Sequence, residues 1–460
     1  MGSRTKLKFP PGPPFGIRRW SSVAGGSQDP LTFFSDIARE YGDFVGLRIL
    51  NFRILLINHP DHIEDVLVNH PKKFIKGRIL KANKRVFGSG LLTSEGDFWL
   101  RQRRLAQPAF HRARIATYAA TMVEYTERLL HEWQDGEERD IHKEMMRVTL
   151  QIVGKTLFDA DVERDAQDVG KSLEMLLEIG ADFRRTLFVP HWLPTPTNIR
   201  MERAIRKIEQ VLYRIIAEKR ASGRDAGDLL SMLLAAQDED GSRMTDKQLR
   251  DEAITLFLAG HETTANTLSW TWWLLAQNPA VETKLHEELR AVLGGRTPSL
   301  DDLPKLVYTN HIITESMRLY PPAWGTARTA IADHELGGFA VPRGSGVSFA
   351  QWTVHRDPRW YDAPDEFRPE RWEGDLMKRL PRFAYFPFGG GPRQCIGNAF
   401  ALMEAALILA TIAQQYRFRL VEGHPVLPLA SITLRPRHGI RAVLEARPAK
   451  SRVASEVSDS

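Results

Sequence analysis

Cysteine is almost absent from this chain of 460 residues, which contains only Cys395. A single thiol excludes an internal disulfide, and with it the class of small secreted domains that disulfides hold together. The same scarcity fits a reducing compartment. We therefore expect the protein to be cytoplasmic.

Long apolar runs are also missing. The most apolar long stretch extends from Ile254 to Leu275, and the polar residues His261 to Thr264 at its middle make it a poor lipid-facing span. No signal peptide precedes the proline-rich segment Pro10 to Pro14. We expect a soluble protein with no integral membrane anchor, or else one whose anchor has been removed.

Dense basic blocks, internal repeats and linkers are lacking as well. The net charge is +6, but the lysines and arginines are spread along the chain, which argues against nucleic acid as a partner. Helical periodicity dominates and strand-like runs are few, so the sequence predicts a mostly α fold with a smaller β portion. We expect a proline-rich segment at 1–28, one large domain at 29–448, and a polar, disordered tail at 449–460.

Several elements can be predicted with definite ends. A helix should begin after Asp29 and end at Gly42, and a hairpin should follow over Phe44 to Ile57. A capping box at Thr245 and Gln248 opens a helix that should reach Asn278, about 50 Å long and therefore spanning the domain. The remaining predictions are helices over Pro60 to Val68, Phe98 to Gln107, Ala113 to Trp133, Lys143 to Phe158, Asp165 to Leu187 and Ile199 to Ala221, and a loop over Pro71 to Gly90.

The glycine-rich stretch from Phe386 to Phe400 carries the lone cysteine. Cys395 stands where a loop enters a helical run, so backbone N–H groups and the helix dipole favour its thiolate form. A thiolate beside flexible backbone suits an axial ligand to haem iron. The alternative is a small buried apolar side chain, the usual state of a lone cysteine.

The surrounding residues favour the ligand. The pattern Phe388-x-x-Gly391-x-Arg393-x-Cys395-x-Gly397 resembles the haem-binding signature of the cytochrome P-450 family, the haem-thiolate monooxygenases, at every specified position. The resemblance extends over nearly the whole chain. It implies one large haem domain with a long central helix, haem b as the cofactor, O2 as a co-substrate and no flavin in this chain.

A second motif, Ala259-Gly-His-Glu-Thr-Thr264, lies inside the predicted long helix. Thr263 can donate a hydrogen bond to the carbonyl of Ala259, and with Gly260 this could open the helix into a polar notch. The family's acid–alcohol pair corresponds to Glu262 and Thr263, which we expect to deliver protons. A solvated glutamate and packed threonines are the alternative. A zinc-protease motif is excluded because its second histidine is Ala265 here.

Two further groups follow from the resemblance. Glu315 and Arg318, on a helix before Pro321, should form a buried network with Arg371. In the family this network supports the loop that carries the thiolate, here the loop from Phe386 to Cys395, which we call the thiolate loop. An ordinary surface ion pair is the alternative. Cations and N–H donors should bind the haem propionates. The expected cofactor-binding residues are Trp99, Arg103, Ala259, Arg328, Phe388, Arg393 and Gly397.

Substrate contacts are predicted from the family's layout alone. They are Val86, Phe87, Leu258, Ala323, Trp324 and Ile432, and their apolar character indicates an apolar substrate such as a fatty acid, terpenoid or carotenoid. We expect hydroxylation with electrons from a ferredoxin or flavodoxin-type donor and its reductase, because no flavin or nicotinamide domain follows. Arg101, Arg104 and Arg382 could form a basic surface for such a donor. A peroxide-driven peroxygenase and a haem-based sensor without turnover are the alternatives.

Overall fold

The computed structural model describes residues 7–13, 29–49, 52–78, 80, 84–159, 172, 175–176, 179, 193–223, 227–237 and 241–447. Its α-helices are α1 (Pro30–Tyr41), α2 (Pro60–Glu64), α3 (Lys84–Phe87), α4 (Gly96–Ala106), α5 (Arg112–Ala116), α6 (Ala119–His131), α7 (Ile141–Phe158), α8 (Pro196–Ser222), α9 (Leu229–Ala235), α10 (Asp246–Gln277), α11 (Pro279–Leu293), α12 (Val307–Leu319), α13 (Gln351–Val354), α14 (Leu376–Arg379) and α15 (Asn398–Gln415).

The strands are short and form separate small sheets. They are β1 (Phe44–Ile49), β2 (Phe52–Ile57), β3 (Phe74–Lys76), β4 (Glu138–Asp140), β5 (Thr326–Ala330), β6 (His334–Leu336), β7 (Phe339–Val341), β8 (Gly346–Phe349), β9 (Tyr416–Leu420), β10 (Pro428–Ala430), β11 (Leu434–Pro436) and β12 (Arg441–Ala446). The largest sheet has the order β1-β2-β8-β5-β3, with β2 and β8 parallel. A three-stranded sheet has the order β4-β12-β9, and β10-β11 and β6-β7 form two-stranded sheets. The predicted fold class, mostly α with a smaller β portion, is confirmed.

Helix α10 is the central element and begins as predicted. The Thr245 hydroxyl accepts from the backbone N–H of Gln248, and the Gln248 side chain accepts from the N–H of Thr245. The helix ends at Gln277, so its 32 residues span about 48 Å. Most of its side chains are buried, including polar ones, because other helices and strands cover it on several sides. It therefore forms one wall of any central cavity.

The segment before α4 differs from its prediction. Pro71 to Gly90 contains strand β3 and helix α3, where the sequence predicted a loop. Likewise, the single helix predicted over Ala113 to Trp133 is two helices, α5 and α6. The Thr117 hydroxyl donates to the carbonyl of Arg114 at 2.7 Å, a local bond that competes with continued helix.

The helix predicted over Pro60 to Val68 is α-helical only to Glu64 and continues as a π-helical turn at Asp65–Asn69. Most other boundaries agree closely with the sequence. The first helix ends at Tyr41 with Gly42 at a positive φ of 79°, and the hairpin pairs β1 with β2. Most of the helix predicted over Asp165 to Leu187 and all of the tail at 449–460 lie outside the described residues. In the part of the chain that is described, no helix combines the length and apolar character needed to cross a bilayer.

Candidate active site

Cys395 is held by a tight loop between a 3-10 turn at Gly391–Arg393 and helix α15. Its backbone N–H donates to the carbonyl of Phe388 at 3.0 Å. Gly391 has a φ of 67°, and a Cβ there would lie 2.0 Å from the carbonyl oxygen of Leu67. Only glycine fits both the backbone conformation and the close approach. The glycines of the motif thus let the loop press against the turn that carries Leu67.

A cavity of about 380 Å³ lies between this loop and α10. The predicted site residues that line it are Trp99, Arg103, Ala259, Thr263, Ala323, Arg328, Phe388, Arg393, Cys395 and Gly397. Cys395 is exposed towards this space. Burial by the enclosing protein raises the pKa of its thiol, against the opposing effects of the Gly397 backbone and Arg103. The N–H groups and dipole expected to favour the thiolate are therefore outweighed by desolvation in the protein alone, and the charge of a bound iron would reverse that balance.

The charges around the cavity fit haem. Four of its lining residues are cationic, namely Lys76, Arg103, Arg328 and Arg393, and none is acidic. Burial lowers the pKa of all four groups, that of Lys76 to about 7 and that of Arg328 to about 10. Such desolvated cations need anionic partners, and the two propionates of haem b supply two negative charges.

One carboxylate behind the cavity, Glu95, partly balances these cations. It accepts hydrogen bonds from the backbone N–H of Lys76, at 2.6 Å, and from the Arg393 guanidinium. Arg393 also donates to the carbonyl of Ser94 and lies 4.2 Å above the Trp99 ring. Arg328 donates to two nearby neutral oxygens, the hydroxyl of Thr326 and the carbonyl of Ala327. The excess of positive charge therefore remains available to a bound anion.

Helix α10 presents Ala259 and Thr263 to the cavity, one turn apart. The Thr263 hydroxyl donates to the Ala259 carbonyl at 2.7 Å, as predicted. The predicted opening of the helix is wrong, because α10 is continuous through this motif. Gly260 instead allows close packing: a Cβ there would lie 3.1 Å from Val153 of α7.

Glu262 points away from the cavity. It is 4% exposed, which excludes the solvated glutamate considered as the alternative. The Thr433 hydroxyl donates to its Oε1, and Arg435 lies near enough to favour its charged form. Burial nevertheless raises the pKa of Glu262 to about 7, so the carboxyl exchanges its proton near neutral pH.

The predicted substrate residues are only partly brought together. Ala323 lines the cavity, whereas Val86, Phe87, Leu258, Trp324 and Ile432 are not among its lining residues. Val86, Phe87 and Leu258 are buried in the main hydrophobic core. The Trp324 indole donates to the carbonyl of Ser431 at 2.8 Å, next to Ile432. Family layout could not give the directions of these side chains, and apart from Ala323 their contact with substrate stays a prediction.

The structure brings Glu315, Arg318 and Arg371 into one buried network. Arg318 donates to both carboxylate oxygens of Glu315, each at 2.8 Å, and Arg371 donates to Oε1 at 2.8 Å. The Trp372 indole donates to Oε2 at 2.9 Å. Glu315 and Arg318 are fully buried. This geometry excludes an ordinary surface ion pair.

A histidine that the sequence did not indicate joins this network to the thiolate loop. Arg318 donates to the carbonyl of His355 at 2.9 Å, and the His355 ring accepts from the backbone N–H of Phe386 at 3.0 Å. Burial lowers the pKa of His355 to about 3, so the ring is neutral and can accept. His355 thus connects the buried network to Phe386, the first residue of the glycine-rich stretch that carries Cys395.

Sequence analysis also missed Lys76 and Glu404. Lys76 is the charged residue within the apolar strand β3, and its Nζ donates to the carbonyls of Leu91 and Leu92 at 2.5 Å. Glu404 is the charged residue within apolar α15; it is fully buried and neither oxygen has a well-formed hydrogen bond, although it interacts with the Thr264 hydroxyl of α10. A single charge inside an apolar run is the signal that could have found Glu404, whereas Lys76 has Lys73 and Arg78 close by in the chain and gives no such signal.

Replacing Glu404 with glutamine is expected to remove part of the pH dependence of stability. Burial raises the pKa of Glu404 to about 8 from 4.5, so the folded state holds the proton more tightly than the unfolded state. Its contribution to the free energy of unfolding therefore falls as pH rises from about 4.5 to 8, by about 1.4 kcal/mol per pH unit. Urea unfolding of the holoenzyme at several pH values should show the free energy of unfolding of Glu404→Gln rising relative to that of the wild type as pH increases across this range. Exposed Glu422 provides the control, since Glu422→Gln should leave the profile unchanged; equal slopes for wild type and Glu404→Gln would contradict the assignment.

Comparison with known proteins agrees with the geometry. The family model described as Cytochrome P450 matches residues 10–440. The chain is 39% identical over 398 residues to cyclooctat-9-en-7-ol 5-monooxygenase of Streptomyces melanosporofaciens, covering 86% of each protein. It is 37% identical over 423 residues to pentalenene oxygenase of Streptomyces avermitilis, covering 91% of this chain and 93% of the relative.

A plant relative extends the comparison. The chain is 31% identical over 437 residues to protein LUTEIN DEFICIENT 5 of Arabidopsis thaliana, covering 88% of this chain and 72% of the relative. The monooxygenase prediction is confirmed, with haem b and O2 as its cofactor and co-substrate, whereas the peroxygenase and sensor alternatives gain no support. The chain belongs to the cytochrome P450 family and is a haem-thiolate monooxygenase that oxidises an apolar substrate.

Proposed function

We propose that this enzyme hydroxylates a terpenoid, with a cyclic terpene skeleton as the preferred substrate. The observation that carries the proposal is the apolar wall of the cavity beside α10, where Leu256 and the small side chains of Ala259 and Ala323 line the same cavity as Thr263. Small apolar residues in a concave site favour a compact hydrocarbon over a polar ligand. Two of the most similar relatives are named for oxidation of such compounds.

Residues on one side of the cavity would bind the haem, and residues on the other side would bind the substrate. Bound haem supplies activation of O2 and insertion of one oxygen atom into a C–H bond. Cys395 would hold the iron from its loop, and Lys76, Arg103, Arg328 and Arg393 would bind the propionates. The apolar side chains beside α10 would exclude water and orient the substrate.

Proton delivery would pass through α10. The Thr263 hydroxyl donates its hydrogen bond to the Ala259 carbonyl, so the lone pairs of its oxygen are free to accept a hydrogen bond from a group in the cavity. Glu262, one residue away and with a pKa of about 7, can take up and release a proton near neutral pH. Thr433 and Arg435 would hold its carboxyl in place.

A screen of ligands by haem spin state tests the substrate class. Cyclic terpenes should displace water and shift the Soret band at micromolar concentration, and linear fatty acids and carotenoids should do so less well. Ala323→Phe should weaken terpene binding at least about tenfold, because a ring would fill space that the ligand needs. Val307→Phe provides the control, because Val307 is 52% exposed on the surface. Binding of small polar compounds alone would overturn the proposal.

Electrons would come from a separate ferredoxin or flavodoxin-type protein with its reductase, in the cytoplasm. Arg104 is exposed, and Arg101 lies on the same helix. Arg382 keeps 61% of its side chain exposed while it pairs with Glu64 at 3.2 Å, so an acidic donor would compete with that surface ion pair. Turnover with a saturating substrate should fall several-fold between 50 and about 500 mM salt, because salt screens such charges. Arg104→Gln should reduce both the rate and its salt dependence, whereas Arg39→Gln, on distant α1, should change neither. Turnover independent of salt would contradict docking by charge.

A further inference from the structure

A cluster of metal-ligating side chains lies outside the cavity, at the turn that follows α2. Asp65 Oδ1 lies 2.9 Å from His70 Nδ1, and Asp65 Oδ2 lies 2.7 Å from His334 Nε2. One ligand atom from each of the three residues lies within 4.8 Å of the other two. Neither the monooxygenase reaction nor haem binding uses these residues.

The backbone explains why they converge. Residues 65 to 69 form a π-helical turn, in which the N–H of His70 donates to the carbonyl of Asp65 at 2.9 Å. This wide turn brings residues five apart in sequence to the same side, which an α-helix would not do. Strand β6 supplies His334 from a distant part of the chain. The ligands therefore come from two separate segments, both with regular hydrogen bonding.

The cluster is enclosed but reachable. The side chain of His334 is 5% exposed, that of Asp65 24% and that of His70 40%. The Phe74 ring packs edge-on against the His334 ring, with centroids 5.3 Å apart, and fixes its plane. An ion could enter beside His70 and keep a water molecule on that open side.

We propose that Asp65, His70 and His334 form a binding site for a zinc-class divalent cation. Two imidazole nitrogens and one carboxylate oxygen, with a fourth position open to water, are a ligand set that Zn²⁺ accepts in tetrahedral geometry. The nitrogen–oxygen distances need to widen by only about half an ångström for ligands at about 2.0 Å from the ion. Hard cations such as Mg²⁺ are disfavoured by the two nitrogens.

Lys73 sets the protonation of the site before the ion binds. Its Nζ lies 3.2 Å from His334 Nδ1, and an ammonium can only donate, so the ring proton sits on Nε2 and faces Asp65. On binding, the ring proton moves from Nε2 to Nδ1 by way of solvent and the Zn–Nε2 bond forms, so the imidazole stays neutral. The Lys73 ammonium must then leave Nδ1, which has become a donor, and its charge opposes the cation. Lys73→Met should therefore strengthen zinc binding.

The site adjoins the thiolate loop. Leu67, in the π-helical turn between two of the ligands, has its carbonyl against Gly391. A bound ion would link this turn to β6 and restrain the surface on which the loop rests. Zinc should accordingly raise the thermal stability of the holoenzyme, since a ligand of the folded state alone stabilises it.

Titration of chelator-treated holoenzyme, carrying no polyhistidine tag, with ZnCl2 tests the proposal. Calorimetry should give one equivalent bound at micromolar Kd, and zinc K-edge absorption should report two imidazoles at about 2.0 Å. His70→Gln combined with His334→Gln should weaken binding by more than the about 10–100-fold typical of residues that only support a ligand. The rise in melting temperature with zinc should disappear in the same variant.

The neighbouring histidines provide a matched control. His59 and His62 precede Asp65 in the chain, and their ring centroids are 5.4 Å apart. They are not part of the three-residue cluster. His59→Gln combined with His62→Gln should leave zinc binding unchanged. An unchanged Kd in the His70/His334 variant, or no stoichiometric binding in the wild type, would overturn the proposal. An intact carbon monoxide difference spectrum shows in every case that the variant has folded.

Discussion

Glu315→Gln is expected to lower the free energy of unfolding by about 3–5 kcal/mol and to speed haem loss. The glutamine loses one acceptor oxygen and the negative charge, which leaves the guanidinium groups of Arg318 and Arg371 buried without a counter-charge. Arg318 also holds the carbonyl of His355, whose ring supports Phe386 at the start of the thiolate loop. Urea unfolding of the holoenzyme measures the first effect, and transfer of haem to an acceptor protein measures the second.

A surface ion pair provides the control for this result. Arg419 bonds to Glu445 with 62% of the arginine side chain exposed, so Arg419→Gln should cost less than about 1 kcal/mol and leave haem loss unchanged. If Glu315→Gln were equally mild, the buried network would not support the loop. If it reduced stability without changing haem loss, the link through His355 would be wrong.

Glu262→Gln is expected to reduce product formation by about 100- to 10,000-fold, the range that a positioned acid contributes. With a pKa of about 7, the wild-type carboxyl loses its proton as pH rises, so product formation should fall above about pH 7. A glutamine side chain cannot release a proton in this range. The low rate of product formation that remains in Glu262→Gln should therefore not decrease above about pH 7. Initial rates between pH 6 and 9, with substrate and donor saturating, provide the measurement.

Coupling separates proton delivery from general damage. Thr263→Ala should lower the product formed per electron consumed, because the hydroxyl beside the cavity is lost while reduction continues. Thr271 lies on the same helix, two turns further on, and its hydroxyl donates to the carbonyl of Thr267 at 2.8 Å. Thr271→Ala should keep wild-type coupling. Unchanged coupling in Thr263→Ala would show that this hydroxyl has no part in proton delivery.

The sequence predicted the elements whose signals are local. The capping box at Thr245 and the glycines around Cys395 act on their own backbone, so their roles can be read from neighbouring residues. Partners distant in sequence could not be read in this way. Nothing near Glu262 in the chain predicts Thr433, and nothing near Lys76 predicts the carbonyls of Leu91 and Leu92. These contacts depend on how strands and helices pack, which the resemblance gave only in outline.

Side-chain direction was the least predictable feature. Val86 and Phe87 are apolar and occur in the expected part of the chain, but the short helix α3 turns them into the core. A loop, as predicted, would have left that direction open. Ala323 faces the cavity because the segment after α12 passes directly beside it.

The four cations around the cavity have a consequence for biosynthesis. Newly made chain must bring Arg103, Arg328 and Arg393 together, with Lys76 partly charged beside them, before any propionate can neutralise them, and their mutual repulsion opposes closure of the site. Acquisition of the prosthetic group and completion of the fold should therefore be a single event. Cells starved of iron or porphyrin should accumulate little of this protein, because the unfilled chain would remain open to proteases.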